Sequence, residues 1–381
     1  MKKVLFIIFV FFLFSPMVVM AEELIPNASS GVLMEASTGK IIYAKEEDKE
    51  VAVASMTKMV AQILIFEALD SSKIHLNDMV TVSKNAADMG GSQIYLSEGE
   101  KISVEDLIKG ISIASGNDAT VAMAEYLAGS EKKFVDRMNK KVKDLGLKHT
   151  HFVNCTGLDE EGHYSSAYDM AVIARHLITE HPDVLKYSSI YEDYLREDTD
   201  NKFWLVNTNK LIRFYDGADG LKTGHTDHAG YCLAATAVRN DLRIIAIVLG
   251  EADSKVRNSE TMDFLDYGFQ NIRMNTLKKK GSVVKKIKID KASQEIIQIV
   301  LKKPLNVIVD SSSDHDHYTY QYHLSDFKLP IRRGEVIGKV EAYDGNKMIS
   351  KSDLTVLEDV HKIDFLTLFS KTFLDMVTGV Y

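Results

Sequence analysis

The order of strand-like and helix-like segments constrains the fold of this chain more than any other feature. Between residues 31 and 273, strand patterns occur at the two ends and helical patterns fill the interior. Strands at opposite ends of such a block are buried only if they pair, so we expect one antiparallel sheet and an α+β fold rather than an alternating doubly wound one. The predicted elements are a hairpin at 31–44, helices at 55–69, 102–128, 131–145 and 168–179, a hairpin at 231–249, and a helix at 258–272.

The sequence after this block predicts a second, smaller domain. Residues 278–281, three lysines and a glycine, form a charged break typical of a linker. Short β-prone runs follow as far as residue 357, which indicates a small all-β domain. A length of 381 residues also favours two hydrophobic cores over one. We therefore predict a first domain at 22–275 and a β domain at 282–357.

Both ends of the chain carry apolar segments with targeting character. Two lysines precede an unbroken apolar run at 4–14, and a small-x-small site ends at Ala21. Residues 1–21 thus predict a cleaved signal peptide, with an uncleaved anchor as the alternative. Residues 360–381 predict an amphipathic helix rich in phenylalanine, which favours an anchor on the membrane surface over packing on the β domain or on a partner chain.

The composition argues against several classes of function. A formal net charge of -8 argues against nucleic acid as a partner, because phosphate binding requires a basic face. No glycine fingerprint of a nucleotide site occurs, and no cofactor is expected. The Asp and His residues at 314–317 lack a further ligand cluster, so they predict a solvated loop rather than a metal site. Cys155 and Cys232 are too few for a disulfide scaffold and leave one bridge or two free thiols open.

The first motif with chemical meaning begins the predicted helix at 55–69. A serine hydroxyl becomes a nucleophile when a base removes its proton, and Lys58 lies three residues after Ser55, on the same helix face. Burial among apolar neighbours lowers the pKa of a lysine, which lets the neutral amine act as that base. The spacing alone is weak evidence, because the same pattern describes an N-cap serine followed by an exposed lysine.

The second motif is Ser115-Gly116-Asn117, which lies in an apolar stretch. A glycine between two short polar residues allows a tight turn that aims both side chains in one direction. Ser115 can then relay a proton to a leaving amine, and Asn117 can donate to a substrate carbonyl. The alternative is an ordinary helix-start turn capped by Asn117 or Asp118.

The third motif is Lys222-Thr223-Gly224, followed by His225, in a strand setting. On an edge strand, Lys222 supplies positive charge and Thr223 a hydroxyl for a substrate carboxylate. Gly224 leaves room for a substrate backbone along the strand. The amides of Ser55 and His225 are then placed to bind an oxyanion. The alternative is a surface turn with one lysine.

In this order and spacing, the three motifs form the serine–lysine signature of penicillin-binding proteins and class A β-lactamases. The sequence resembles the low-molecular-mass penicillin-binding proteins, the serine-type D-alanyl-D-alanine carboxypeptidases, from about residue 28 onward. The resemblance implies a penicillin-binding transpeptidase-like catalytic domain, followed by a small β domain. Together with the two terminal segments, it predicts an exported enzyme at the outer face of the cytoplasmic membrane, facing the cell wall. The flanking segments that share it are 35–39, 152–154, 157–158, 164–170 and 219–231.

The same resemblance implies a role for each motif residue. Ser55 attacks the carbonyl between the last two D-alanines of a peptidoglycan stem peptide, and Lys58 takes its proton. Ser115 and Lys222 help to pass that proton to the departing D-alanine. Water then releases the shortened peptide, whereas β-lactams leave the serine acylated, and no metal is needed. Arg257 matches a family arginine that contacts the substrate carboxylate, with a surface arginine as the alternative.

Three other functions are compatible with parts of this pattern. A class A β-lactamase needs a glutamate that activates the deacylating water, and the segment between Asn117 and Lys222 offers no convincing one. Sequence poorly distinguishes a D,D-endopeptidase on the same scaffold from a carboxypeptidase. A catalytically inactive wall-binding protein is disfavoured by the intact motif residues. The chain departs from its relatives at Cys155 and Thr156, where they often have proline or histidine.

Overall fold

The structure, a computed structural model, describes residues 23–197, 199–289, 292–294, 296–311 and 317–364, together with Phe369 and Val377. The predicted signal peptide at 1–21, residues 314–316 of the predicted loop and most of the predicted terminal helix at 360–381 lie outside the described residues. In the described part of the chain, no helix is long and apolar enough to cross a membrane.

Serine side chains fix where several helices of the first domain begin. Ser130 Oγ accepts a bond from the backbone N–H of Lys133, and Ser166 Oγ accepts one from that of Asp169. Such caps satisfy N–H groups that have no partner inside the helix. The elements are β1 Ser30–Glu35, β2 Ile41–Lys45, a 3-10 turn Ala54–Thr57, α1 Lys58–Asp70, β3 Met79–Thr81, α2 Lys84–Ala87, β4 Lys101–Ser103, α3 Val104–Ile113, α4 Asn117–Ala128, α5 Glu131–Asp144, α6 Ala167–Glu180, a 3-10 turn Pro182–Val184, α7 Leu185–Ser188, β5 Glu192–Leu195, β6 Phe203–Val206, α8 Leu211–Phe214, β7 Ala218–Thr226, β8 Gly230–Arg239, β9 Leu242–Glu251 and α9 Ser254–Asn271.

A five-stranded antiparallel sheet organises the described part of this domain, in the order β2-β1-β9-β8-β7. Strand β1 pairs with β9 along its whole length, which confirms the expected union of the two hairpins. Because successive strand side chains point to opposite faces, Val32 and Ile247 enter the core shared with the helices, while Leu33 and Val248 face α9. Strand β7 lies at one edge of the sheet, as predicted for the third motif.

Helix α1 passes through the interior of the helical half and contacts α4, α5 and α6. Most of its side chains are buried, in agreement with the dense apolar pattern of the predicted helix. Its start differs from the prediction, because residues 54–57 form a separate 3-10 turn and the α-helix begins at Lys58. Ser55 therefore lies in a tight turn immediately before the helix.

The predicted helix at 102–128 is interrupted in the structure. Residues 101–103 form β4, and α3 and α4 are separated at residues 114–116. Ser115 has a φ of 62°, a left-handed conformation that is unfavourable for a residue with a side chain. In an uninterrupted helix, residues two positions apart point in different directions. The break lets Ser115 and Asn117 face the same lysine.

The second domain is built from strands, as predicted, over a small apolar core that includes Ile299, Val340 and Leu354. Five of the described strands form an antiparallel sheet in the order β11-β12-β16-β15-β14, while β10 pairs with β13 in a separate ladder. Strand β10 follows α9 directly and was not among the predicted strands. The strands are β10 Ile272–Lys278, β11 Val283–Ile287, β12 Ile297–Leu301, β13 Leu305–Asp310, β14 Thr319–Leu324, β15 Gly338–Asp344 and β16 Lys347–Val356.

Candidate active site

The turn that carries Ser55 places its hydroxyl against the first residue of α1. Ala54 adopts a φ of 48°, and the Met56 amide donates to the carbonyl of Val53, which closes the turn. Lys58 Nζ lies 2.6 Å from Ser55 Oγ. A lysine within hydrogen-bond reach of a serine is the arrangement that nucleophilic catalysis requires.

Lys58 is completely buried, and its amine contacts both polar residues of the second motif. Nζ donates to Asn117 Oδ1 at 2.6 Å and lies 3.5 Å from Ser115 Oγ. Burial lowers the pKa of Lys58 to about 7, against the opposing effects of Cys155 and Asp118. The neutral amine is therefore well populated near neutral pH.

Asn117 is held from both ends of its amide. Its Oδ1 accepts from Lys58, and its Nδ2 donates to the carbonyl of Gly90 at 2.7 Å. Its backbone N–H donates to the carbonyl of Ser92, a residue that lines the active-site cavity described below. In this structure, Asn117 fixes the position of the lysine amine, and the second hydrogen on Nδ2 is the one left for the predicted bond to substrate.

Lys222 is the second fully buried lysine of the site. It lies on β7, and its Nζ donates to the carbonyl of Thr223 at 3.0 Å. Burial, followed by the positive charges of Lys58 and Arg257, holds the pKa of Lys222 well below its usual value. The surroundings of Lys222 therefore oppose the positive charge predicted at this position.

The remaining third-motif residues bring β7 against the Ser55 turn. A Cβ at Gly224 would lie 2.6 Å from the carbonyl oxygen of Val53 and 3.3 Å from the amide nitrogen of Ser55. The turn itself therefore requires a residue without a side chain at this position. Sequence reasoning had attributed that requirement to the substrate. Thr223 Oγ1 donates to Thr208 Oγ1, and the exposed ring of His225 stacks on Tyr231 at 4.0 Å.

Arg257 lies in α9, three residues after the helix starts, and is only 5% exposed. Its guanidinium donates to Asn258 Oδ1 and to the carbonyl of Cys232. Burial lowers its pKa, although an arginine stays charged at neutral pH. The alternative of a surface arginine does not hold, because the side chain is buried at the wall of the cavity described next.

A cavity of about 450 Å³ unites the three motifs. Ser55, Ser115, Thr223, Gly224, His225 and Arg257 line it, while Lys58, Asn117 and Lys222 are buried at the motifs that form it. A larger cavity of about 730 Å³, near Arg175 and Lys303, contains none of the predicted site residues. Among the described residues, no cluster of three metal-ligating side chains converges at the motif cavity.

Sequence reasoning included parts of the loop at 152–163 among the flanking segments but did not predict that this loop supports the Ser55 turn. A Cβ at Gly157 would lie 1.9 Å from the carbonyl of Ala54, and Ser55 Oγ lies 3.4 Å from the carbonyl of Thr156. Within this loop, His163 Nδ1 accepts from the Val153 amide, so its Nε2 donates to Thr57 at 2.8 Å. Burial lowers the pKa of His163 to about 4, which keeps the ring neutral.

Both cysteines are free and buried in the structure. The Cys155 thiol lies 3.3 Å from a carboxylate oxygen of Glu131, and burial raises its pKa well above the usual value. The Cys232 thiol likewise has its pKa raised by burial, to about 11. Neither thiol has the lowered pKa of a cysteine nucleophile.

Comparison with known families shows to which class of enzyme the chain belongs. A family model described as D-alanyl-D-alanine carboxypeptidase matches residues 17–253, and one described as the C-terminal domain of penicillin-binding protein 5 matches residues 273–362. The chain belongs to the D-alanyl-D-alanine carboxypeptidase family. This confirms the resemblance read from the motifs, and with it a penicillin-binding serine peptidase that acts on peptidoglycan.

Three relatives illustrate the extent of the similarity. The D-alanyl-D-alanine carboxypeptidase DacF of Bacillus subtilis strain 168 is 45% identical over 352 residues, which are 92% of this chain and 90% of the relative. The crystal structure of penicillin-binding protein 5 from Haemophilus influenzae is 33% identical, with a TM-score of 0.70 over 88% of this chain and 98% of that chain. Penicillin-binding protein D2 from Listeria monocytogenes, in its ampicillin-bound form, is 31% identical, with a TM-score of 0.58 over 64% of this chain and 97% of that chain.

Proposed function

We propose that Ser55 is the nucleophile that forms the acyl-enzyme and releases the terminal D-alanine of a stem peptide. The observation that carries this assignment is the 2.6 Å contact between Ser55 Oγ and Lys58 Nζ, at a lysine whose pKa is lowered to about 7. A neutral amine has two N–H groups and one lone pair. The two N–H groups point to Asn117 and Ser115, which leaves the lone pair for the proton of Ser55.

The developing oxyanion needs two backbone donors close together. The amides of Ser55 and His225 are proposed for this role, because strand β7 packs directly against the Ser55 turn at Gly224. Donors fixed in place before the reaction stabilise the tetrahedral intermediate without having to reorganise. The edge position of β7 also leaves one side of the strand available to the substrate backbone.

The substrate carboxylate and the leaving amine are assigned to the other lining residues. Thr223 and Arg257 present a hydroxyl and a guanidinium to the cavity, which suits the free carboxylate of the last D-alanine. Ser115 Oγ lies 3.5 Å from Lys58 Nζ, so it can pass the proton from that amine to the departing D-alanine. Lys222 gains its charge when an anionic substrate offsets the burial that disfavours it.

A penicillin assay tests the assignment of Ser55. The full chain is incubated with a fluorescent penicillin, and D-alanine release is measured from a diacetylated tripeptide ending in D-Ala-D-Ala. The wild type is expected to be labelled and to release D-alanine, whereas Ser55→Ala should do neither. Label on Ser55→Ala would contradict the proposal. Labelled wild type that cleaves only crosslinked peptides would instead identify an endopeptidase.

We further propose that the protein is exported and held at the outer face of the cytoplasmic membrane. The support is the sequence pattern of residues 1–21 and of residues 360–381, with three phenylalanines in the second segment. A truncation tests the anchor. Deleting 361–381 is expected to move an exported enzyme from the membrane fraction to the soluble one, and its retention in the membrane would contradict the anchor.

A further inference from the structure

A second cluster of chemically reactive side chains lies at the opposite end of α1 from Ser55. Glu67 is nine residues beyond Lys58, which is about 14 Å along a helix. At this end, Glu67 meets His176 and His181 from the end of α6. One ligand atom from each of the three side chains lies within 4.8 Å of the other two. The proposed peptidase mechanism uses none of these residues.

The end of α6 explains how the two histidines come together. In a continuous helix, residues five positions apart point about 140° away from each other. Helix α6 ends at Glu180, and His181 has φ of -126° and ψ of 60°, outside the helical region. The turn at this position brings the rings of His176 and His181 to a centroid distance of 5.8 Å, nearly perpendicular to each other.

Asp70 orients the second histidine in the way that metal sites require. Its Oδ2 lies 2.6 Å from His181 Nδ1, and a carboxylate can only accept, so Nδ1 carries the proton. The other ring nitrogen, Nε2, is then left with a free lone pair. A carboxylate behind a histidine fixes both the tautomer and the orientation of the ring in metal centres.

His176 supplies the second free nitrogen. Its Nε2 is buried and has no hydrogen-bond partner among the described residues. A buried polar atom without a partner costs free energy, and a bound cation would satisfy it. On the third side, Lys141 donates to Oε1 of Glu67, which leaves the other carboxylate oxygen available.

We propose that Glu67, His176 and His181 form a site for a divalent transition metal, zinc in particular. Two imidazoles and one carboxylate, with water in the fourth position, are a ligand set that zinc accepts in tetrahedral geometry. Imidazole nitrogen also discriminates against calcium and magnesium, which prefer oxygen. The ion would join α1 to the end of α6 and stabilise the domain without touching Ser55.

Metal titration of the purified full chain tests this site. After chelation and dialysis, the protein is titrated with zinc against a chromophoric chelator and with cobalt, whose visible absorption reports four-coordination. One zinc is expected per chain, with a rise in Tm of several degrees at saturation. His176→Gln should weaken zinc binding by at least about tenfold, and Asp70→Asn by about tenfold. Lys141→Met should tighten it, because a neighbouring positive charge is removed.

Matched controls separate the cluster from adventitious surface binding. His151→Gln removes an exposed histidine outside the cluster and should leave zinc affinity unchanged. Penicillin labelling of each variant confirms that the fold and Ser55 are intact, so any loss of zinc binding is measured on folded protein. A wild type that binds no stoichiometric zinc, or His176→Gln with wild-type affinity, would overturn the proposal.

Discussion

The two domains of the protein differ most in the charges that they bury. The first domain buries Lys58, Lys222 and Arg257 around one cavity. The described core of the second domain is apolar, and its mostly buried Glu341 pairs with Lys339 at the surface of the sheet. Both domains contain an antiparallel sheet packed on a hydrophobic core, so a sheet and its core do not by themselves require buried charges.

This difference separates the requirements of catalysis from those of stability. Removing a lysine from water without a carboxylate partner opposes folding, because the ammonium loses its hydration. The first domain keeps two such lysines, since the same loss of hydration lowers their pKa values. Changes to buried charges in the first domain should therefore alter the reaction rate, whereas changes to the second domain should alter stability.

The largest expected effect comes from removing the buried base. Lys58→Met should slow acylation by penicillin about 10³-fold, because the other hydrogen-bond partner of Ser55 Oγ among the described residues is the carbonyl of Thr156, which is not a base. The matched change in the second domain, Lys339→Met, should leave the rate within about twofold of wild type. Stopped-flow labelling of folded protein measures both. Near-normal acylation by Lys58→Met would contradict the proposed difference between the two domains.

The pH dependence of acylation gives the next largest effect. The neutral fraction of Lys58 is about one half at its pKa of about 7 and about one hundredth at pH 5, so the rate should fall about 50-fold from pH 7 to pH 5. Above pH 7 the rate should level off. Because the pKa of Lys58 is lowered in the folded state, burying the charged amine reduces the free energy of unfolding. This loss of stability is full below pH 7 and disappears as the pH rises towards 10.5. A rate that still increases strongly at pH 9 would disagree with this assignment.

A glycine pair tests the packing between β7 and the Ser55 turn. Gly224→Ala should slow acylation by about tenfold or more, because the new methyl group meets the Val53 carbonyl and displaces the turn. The control Gly90→Ala also lies in the first domain. It keeps the backbone carbonyl that accepts from Asn117, and no atom lies within 4 Å of its added carbon. Equal rates for the two variants would show that this contact does not position Ser55.

The smallest expected effect on acylation belongs to the core of the second domain. Ile299→Ala should lower the free energy of unfolding by about 2–5 kcal/mol, because it leaves a cavity among buried aliphatic side chains. The acylation rate at 25 °C should stay within about twofold of wild type. Urea unfolding and penicillin labelling of the same samples give both quantities. A large loss of rate in folded protein would mean that the two domains are coupled.

The outline of the fold and the identity of the motif residues were available from sequence because both depend on local patterns. The two hairpins had to pair to be buried, and β1 does pair with β9. Ser55, Ser115 and Arg257 do line one cavity. The structural reason for a glycine at position 224 could not be predicted from sequence, because its spatial neighbour Val53 lies far away in the sequence.

The other omissions have a similar physical cause. The left-handed backbone at Ser115 is held by the Gly116–Gly110 hydrogen bond and by packing around Lys58, which helical periodicity does not contain. Strand β10 looked like the end of a helix and the start of a linker, and only its partner β13 makes it a strand. His163 is separated from Thr57 by 106 residues, so no local pattern links them.

The titration of Lys58 itself tests the central claim most directly. NMR of the chain carrying lysine labelled with carbon-13 at the ε position follows each amine, and Lys58→Met assigns the resonance. The account predicts a Lys58 midpoint at about 7. A Lys58 resonance that titrates at about 10.4, like an ordinary lysine, would contradict a neutral base beside Ser55.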